Sequence, residues 1–253
     1  MSSLIAAAAS LLVFCAPGYP GTSGDAQPLV GEFATTLAAA AGWPADSLTA
    51  VYDASEQSDL QRLAAPDAAL AFVPYPFFVQ HGAALHLVPL AQADVPPGGV
   101  QQHWTLVMKS GHPAPPAGLT GLTIISTAGY AQDFVRAVLH NLPGGTPIAA
   151  TGQVLSALRR AATGEPVAVL LDQEQTAAMA SLPFAADLQI VGTTAPVPVA
   201  LIVVVDGRVP KARADALQQA LLHLSARPEG AATLSRLRLK GFVAPRLPAT
   251  PGS

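Results

Sequence analysis

Short apolar runs set the first limit on what this chain can fold into. Val167-Ala168-Val169-Leu170-Leu171 and Ala200-Leu201-Ile202-Val203-Val204-Val205 are unbroken and rich in β-branched residues. Neither alternates with polar residues, as a strand with one wet face would. Comparable segments recur at Leu11 to Cys15, Leu48 to Tyr52, Ala68 to Val73, Trp104 to Lys109, Leu122 to Ile125, Thr146 to Ala149 and Leu188 to Val191. Stretches of helical period separate them, at about 26–41, 56–63, 131–140, 153–162, from 173 onward, 212–224 and 231–237. Strands buried on both faces and alternating with helices predict an α/β fold with mainly parallel sheets.

Proline marks where this pattern breaks. Pro74-Tyr75-Pro76 closes the run ending at Val73 and is expected to force a turn. The Pro-rich stretch Gly111 to Gly118 and the segment Thr193-Thr194-Ala195-Pro196-Val197-Pro198 are the two larger junctions. They divide the chain into one lobe of residues 1–103 plus 199–253 and a second of 104–198, with hinge crossings near 103–110 and 194–200. A cleft between two such lobes is the natural place for a ligand.

Composition narrows the partners. A hydrophobic share of 51% against 11% charged residues describes compact lobes with alanine-rich helices and argues against long disorder. The formal charge of -3 supplies no basic field, so nucleic acid is not an expected partner and an anionic ligand must be held by local geometry. The single Cys15 excludes an intrachain disulfide and a multi-cysteine metal site. It reads as a buried strand thiol, or else as a lipid-anchored cysteine after a short signal, for which the preceding Phe14 is a poor fit. The apolar start, Met1 to Ser10, carries no Lys or Arg and so lacks the basic beginning of a secretory signal; it reads as a clipped signal or a mis-set start. No uninterrupted apolar run reaches the ~18 residues of a membrane span.

One segment carries chemistry. Gly121-Leu122-Thr123-Ile124-Ile125-Ser126-Thr127-Ala128-Gly129-Tyr130 predicts a strand running into a Ser-Thr-x-Gly turn and a helix from Ala131. Hydroxyls and backbone N–H groups then gather at a helix N-terminus, which favours an anion. Gly129, lacking a Cβ, lets the backbone approach a ligand closely; the alternative is that Ser126 or Thr127 merely caps the helix. Tyr130 either lines the site or packs on the next strand. Tyr19 and Tyr75 follow strands in Pro-bounded turns, where open sheets gather ligands. Asp172, at the end of the Val167 to Leu171 run, is either a ligand-facing acid or the N-cap of the helix beginning at Gln173. The six histidines show no metal-binding spacing, and neither a Gly-x-Ser-x-Gly elbow nor a phosphate loop ending in Gly-Lys-Ser/Thr occurs. These absences point away from an enzyme.

Taken in order, several pieces resemble the phosphonate and phosphite class of solute-binding proteins of ATP-driven (ABC) importers, relatives of the sulfonate and transferrin-like binders. They are the first strand with its Pro17-Gly18-Tyr19-Pro20 loop, Ala69-Leu70-Ala71-Phe72-Val73-Pro74-Tyr75-Pro76, Trp104 to Lys109, Leu119-Thr120-Gly121-Leu122-Thr123 before the Ser-Thr-x-Gly-Tyr turn, and Thr194-Ala195-Pro196-Val197-Pro198. The resemblance implies a two-lobed, hinged, type II periplasmic-binding fold without catalytic activity, cofactor or metal. It also implies a monomer outside the cytoplasmic membrane that delivers a small oxyanion (phosphonate, phosphite, phosphate or sulfonate) to a membrane permease. The implied ligand contacts are Ser126, Thr127, Ala128, Gly129, Tyr130, Tyr75, Tyr19 and Asp172, the last meeting an amino group on the ligand. Members of this class tend to carry Ser-Thr-Ser in the turn; Ala128 removes one hydroxyl donor. The alternatives are an enzyme on the same scaffold, as in the menaquinone or thiamine-pyrimidine pathways, with Asp172 as its acid-base group, and a sensor domain without a transport role.

Overall fold

The computed structural model describes residues 9–18, 23–44, 46–113, 115, 117–140 and 142–248. In chain order the elements are β1 (Ser10–Cys15), α1 (Ser23–Ala40), β2 (Leu48–Asp53), α2 (Glu56–Ala64), β3 (Ala68–Pro74), α3 (Tyr75–His81) and β4 (Leu87–Asp94). There follow β5 (Gln101–Gln102), β6 (Thr105–Lys109), β7 (Thr123–Ser126), α4 (Gln132–Val138), β8 (Ile148–Ala150), α5 (Val154–Thr163), β9 (Val167–Leu171) and α6 (Gln173–Met179). The chain continues through β10 (Leu188–Thr193), β11 (Val197–Pro198), β12 (Ala200–Val205), α7 (Lys211–Leu222), α8 (Pro228–Arg236) and β13 (Gly241–Val243). No helix among the described residues is long and apolar enough to cross a membrane.

Contacts group the chain into two units: Met1–Ala16, Gly21–Val100 and Pro198–Arg246 in the first, and Pro17–Pro20, Gln101–Val197 and Leu247–Ser253 in the second. The first is built on a six-stranded sheet in the order β13-β4-β12-β3-β1-β2. Its core is filled by Leu12, Phe33, Leu37, Leu70, Ile202, Leu217 and Leu221, all fully buried. A chain of rings crosses it: Phe14 meets Phe33 edge-on at 5.6 Å and Phe72 at 5.3 Å, and Phe242 lies 6.0 Å from Phe33. Arg208 ties the α2–β3 connection to the body of this unit, one Nη1 donating to the carbonyls of Leu63, Ala65 and Ala68 at 2.9, 2.6 and 2.8 Å. Cys15 is buried at the end of β1 as a free thiol.

The second unit carries a five-stranded sheet in the order β10-β6-β9-β7-β8. Its core packs Val107, Ile125, Leu158, Val169 and Leu171 under α5, which ends on Gly164 in the left-handed conformation (φ 91°). Trp104, at 1% exposure, packs edge-to-face with Phe134 of α4 at 5.3 Å.

Three expectations need correction. Both sheets are mixed, not mainly parallel: β12 runs antiparallel to β3 and β4, β13 to β4, and β6 to β9 and β10. All six residues of β12 are buried, so its apolar run looks the same whichever way its neighbours point. Pro74-Tyr75-Pro76 does not simply turn; Pro74 is the N-cap of α3, with Pro76 in its first turn, where proline's missing N–H costs nothing. Four strands, β4, β5, β11 and β13, escaped the sequence reading, and β5 and β11 are only two residues long. β4 carries Pro89, Gln92 and Asp94 among its apolar residues, and β13 is three residues long.

Candidate binding turn of the second unit

Strand β7 ends at Ser126 between β9 and the edge strand β8. The chain then makes a tight turn before α4 begins at Gln132. Gly129 N–H returns to the Ser126 carbonyl (3.1 Å) and Ala131 N–H to the Ala128 carbonyl (2.9 Å), while Thr151 N–H also reaches the Ser126 carbonyl (2.9 Å). The turn is therefore fastened to the segment after β8 as well as to itself.

Ser126 is fully buried, and both hydrogen-bonding functions of its hydroxyl are taken. Its Oγ donates to the Leu170 carbonyl on β9 at 2.8 Å and accepts the Ala128 N–H at 3.1 Å. A hydroxyl has one proton, and this one is committed to the fold. Thr127, 3% exposed, differs: its Oγ1 accepts from Gln175 Nε2 at 3.4 Å, which leaves its own proton for another acceptor. Ala128 is buried and Tyr130 half-buried.

Gly129 has a structural reason of its own. A Cβ there would lie 2.2 Å from the Ala149 carbonyl oxygen and 2.5 Å from Ala150 N, so the end of β8 occupies the space the sequence reading reserved for a ligand. Gly18 makes a similar approach, a Cβ standing 2.5 Å from the Thr127 carbonyl oxygen at a φ of 82°.

Neither Ser126 nor Thr127 caps α4. The N-cap is Ala131, without a side-chain cap bond, and the first turn carries Asp133, whose negative charge already sits at the positive end of the helix dipole. Asp172 does act as a cap: its Oδ1 accepts the Gln175 N–H at 2.8 Å, and Gln175 Oε1 accepts the Asp172 N–H at 3.2 Å, a complete capping box opening α6. Gln175 thereby links Asp172 to Thr127. Sequence reasoning missed Gln175, although Asp-x-x-Gln after an apolar run is a readable capping signature.

The second unit thus brings together Ser126, Thr127, Ala128, Gly129, Tyr130 and Asp172. Tyr75 belongs to the first unit, where it opens α3, is 9% exposed and stacks with Phe78 at 6.3 Å; burial raises its phenol pKa. Tyr19 lies outside the described residues. Among the described residues no group of His, Cys, Asp and Glu is arranged to hold a metal ion.

Known proteins place this architecture. A Xanthomonas citri protein solved with a chloride ion superposes with a TM-score of 0.70 at 16% identity, covering 96% of this chain and 93% of that one. A binding-protein component of a Pseudomonas aeruginosa ABC phosphonate transporter gives 0.63 at 12% identity, with 94% and 82% covered. A Prochlorococcus marinus protein in complex with methylphosphonate gives 0.58 at 12% identity, with 94% and 93% covered. These likenesses show the fold, the two-lobed type II periplasmic-binding architecture. None of the curated proteins matches the chain by sequence. The sequence profile of the ABC transporter phosphonate periplasmic substrate-binding proteins matches residues 27–248, nearly the whole chain, and the protein belongs to that family.

Proposed function

We propose that this protein captures a small oxyanion of the phosphonate, phosphite, phosphate or sulfonate class at the Ser126–Tyr130 turn and delivers it to the permease of an ABC importer. Family membership supplies the coarse part, a periplasmic substrate-binding protein with a small-molecule ligand and a permease partner. The observation that carries the finer part is the state of Thr127. Its hydroxyl is held by Gln175, and its proton remains to be donated. Chloride and methylphosphonate, named with two proteins of the same fold, are both anions.

In this reading Ser126 and Gly129 build the turn and Thr127 donates to the anion. Ala128 offers no hydroxyl, so the site discriminates less between tetrahedral anions than a three-hydroxyl turn would. Tyr130 and Asp172 are secondary contacts, Asp172 serving a ligand amine only where its cap bond permits.

Thermal shift and calorimetry with phosphate, phosphite, methylphosphonate, aminoethylphosphonate and methanesulfonate test this. A ligand at a hundred times its dissociation constant stabilises by about 2.7 kcal/mol. Thr127→Val keeps the shape and removes the donor; it should cost about 1.5–3 kcal/mol of binding free energy, the worth of a hydrogen bond to a charged group. Unchanged affinity in Thr127→Val, or no shift with any anion, would sink the proposal.

A further inference from the structure

Asp59 lies in α2 with none of its surface exposed, and neither carboxyl oxygen makes a hydrogen bond of ordinary geometry. The elements packed around it offer no free cation. From β1 comes the Cys15 thiol, a weak donor that is itself buried. β2 brings Tyr52 and Asp53, and α2 itself brings Glu56. The nearby basic side chains are turned elsewhere: Arg62 Nε stands 3.5 Å from Asp53 Oδ2, His81 Nε2 of α3 lies 2.8 Å from Glu56 Oε1, and Arg208 donates to the carbonyls of Leu63, Ala65 and Ala68. The residues of β3, against which α2 also packs, include no ionisable side chain.

A carboxylate in such a place has lost its water and gained acid neighbours in exchange. The ionised form is costly there, and the group escapes that cost by holding a proton. We propose that Asp59 is a proton-holding position of the first unit: the folded protein carries a proton on this carboxyl at neutral pH, and the support this proton lends to the packing of α2 on β1 and β3 declines as pH rises. Burial is the main cause, the Cys15 thiol opposes it, and Asp53 and Glu56 add to it, so that the carboxyl titrates at about 8 instead of 3.8. Ionised Asp59 in turn helps to hold the Cys15 thiol well above its ordinary value, after burial, the larger cause.

The unfolded chain releases this proton near 3.8 and the folded chain near 8, so folding takes up a proton between those values. The contribution is whole below about pH 4, falls as pH rises and is exhausted above about pH 8. One proton corresponds to about a tenfold fall in the folding equilibrium constant per pH unit.

Infrared spectroscopy of protein labelled with carbon-13 aspartate reads the proton directly. The expected result is an isotope-shifted carboxylic acid band present at pH 7 and lost as pH is raised past about 8. Absence of that band at pH 7 overturns the proposal. Denaturant unfolding between pH 5 and 8 supplies the second reading: relative to Asp59→Asn, the wild-type folding constant should fall about tenfold per pH unit. Parallel profiles for the two proteins would also overturn it, and if the variant does not fold, the infrared titration of the wild type decides alone.

Discussion

Ser126, Thr127 and Asp172 in the second unit and Asp59 in the first are all exposed by 4% or less, yet their surroundings are opposite. In the second unit each of these three buried side chains has a partner: Ser126 joins β9 to the turn, Thr127 meets Gln175, and Asp172 closes a capping box. In the first, Asp59 has no strong donor and two acid neighbours. A satisfied polar network fixes one geometry, which a recognition site needs; an unsatisfied acid stores a pH dependence. The same degree of burial therefore yields rigidity in one unit and sensitivity in the other.

The comparison breaks most visibly at Gly129. Alanine there would press into backbone atoms of Ala149 and Ala150, which cannot yield as a flexible side-chain tip does. Gly129→Ala should cost about 3 kcal/mol or more in denaturant unfolding, at the upper end of overpacking effects. A loss below about 1 kcal/mol would mean that the turn and β8 are not locked together. The Asp59 titration comes next, since it moves the folding constant through several decades across the neutral range. Thr127→Val follows, separating the donor proposed to meet the anion from the Ser126 hydroxyl that builds the turn. Asp172→Ala removes a cap worth about 1 kcal/mol of stability. Because Gln175 holds Thr127, it should also weaken anion binding; intact affinity would detach Asp172 from the site. The smallest effect expected is a gain. Gly31 lies within α1 with nothing within 4 Å of its missing Cβ, so Gly31→Ala should stabilise the first unit by about 0.5–1 kcal/mol.

Much of this was legible in the residues. The runs Val167 to Leu171 and Ala200 to Val205 are strands to the residue, and the α/β class and family follow from the order of such segments. Strand direction was not legible, because a run buried on both faces carries no record of its neighbours' polarity. β4 stayed hidden because Gln92 and Asp94 interrupt its pattern; Gln92 is buried there, its Oε1 accepting the Arg246 N–H far along the chain. At the turn, residue types correctly marked a cluster of hydroxyls but could not say which were already occupied. Ser126 is committed by Leu170, 44 residues away, and Gly129 is required by Ala149 and Ala150, contacts that only the folded sheet creates. Asp172 carried its own local clue in Gln175, three residues on.

The central claim is that the Thr127 hydroxyl is the side-chain donor to a bound oxyanion. Calorimetric titration of wild type and Thr127→Val with the tightest of the five anions tests it most directly. The account predicts a dissociation constant at least about tenfold weaker in the variant, with unfolding without ligand changed by no more than about 1 kcal/mol, the worth of the Gln175 hydrogen bond it also loses. Equal affinities in two equally stable proteins would contradict it.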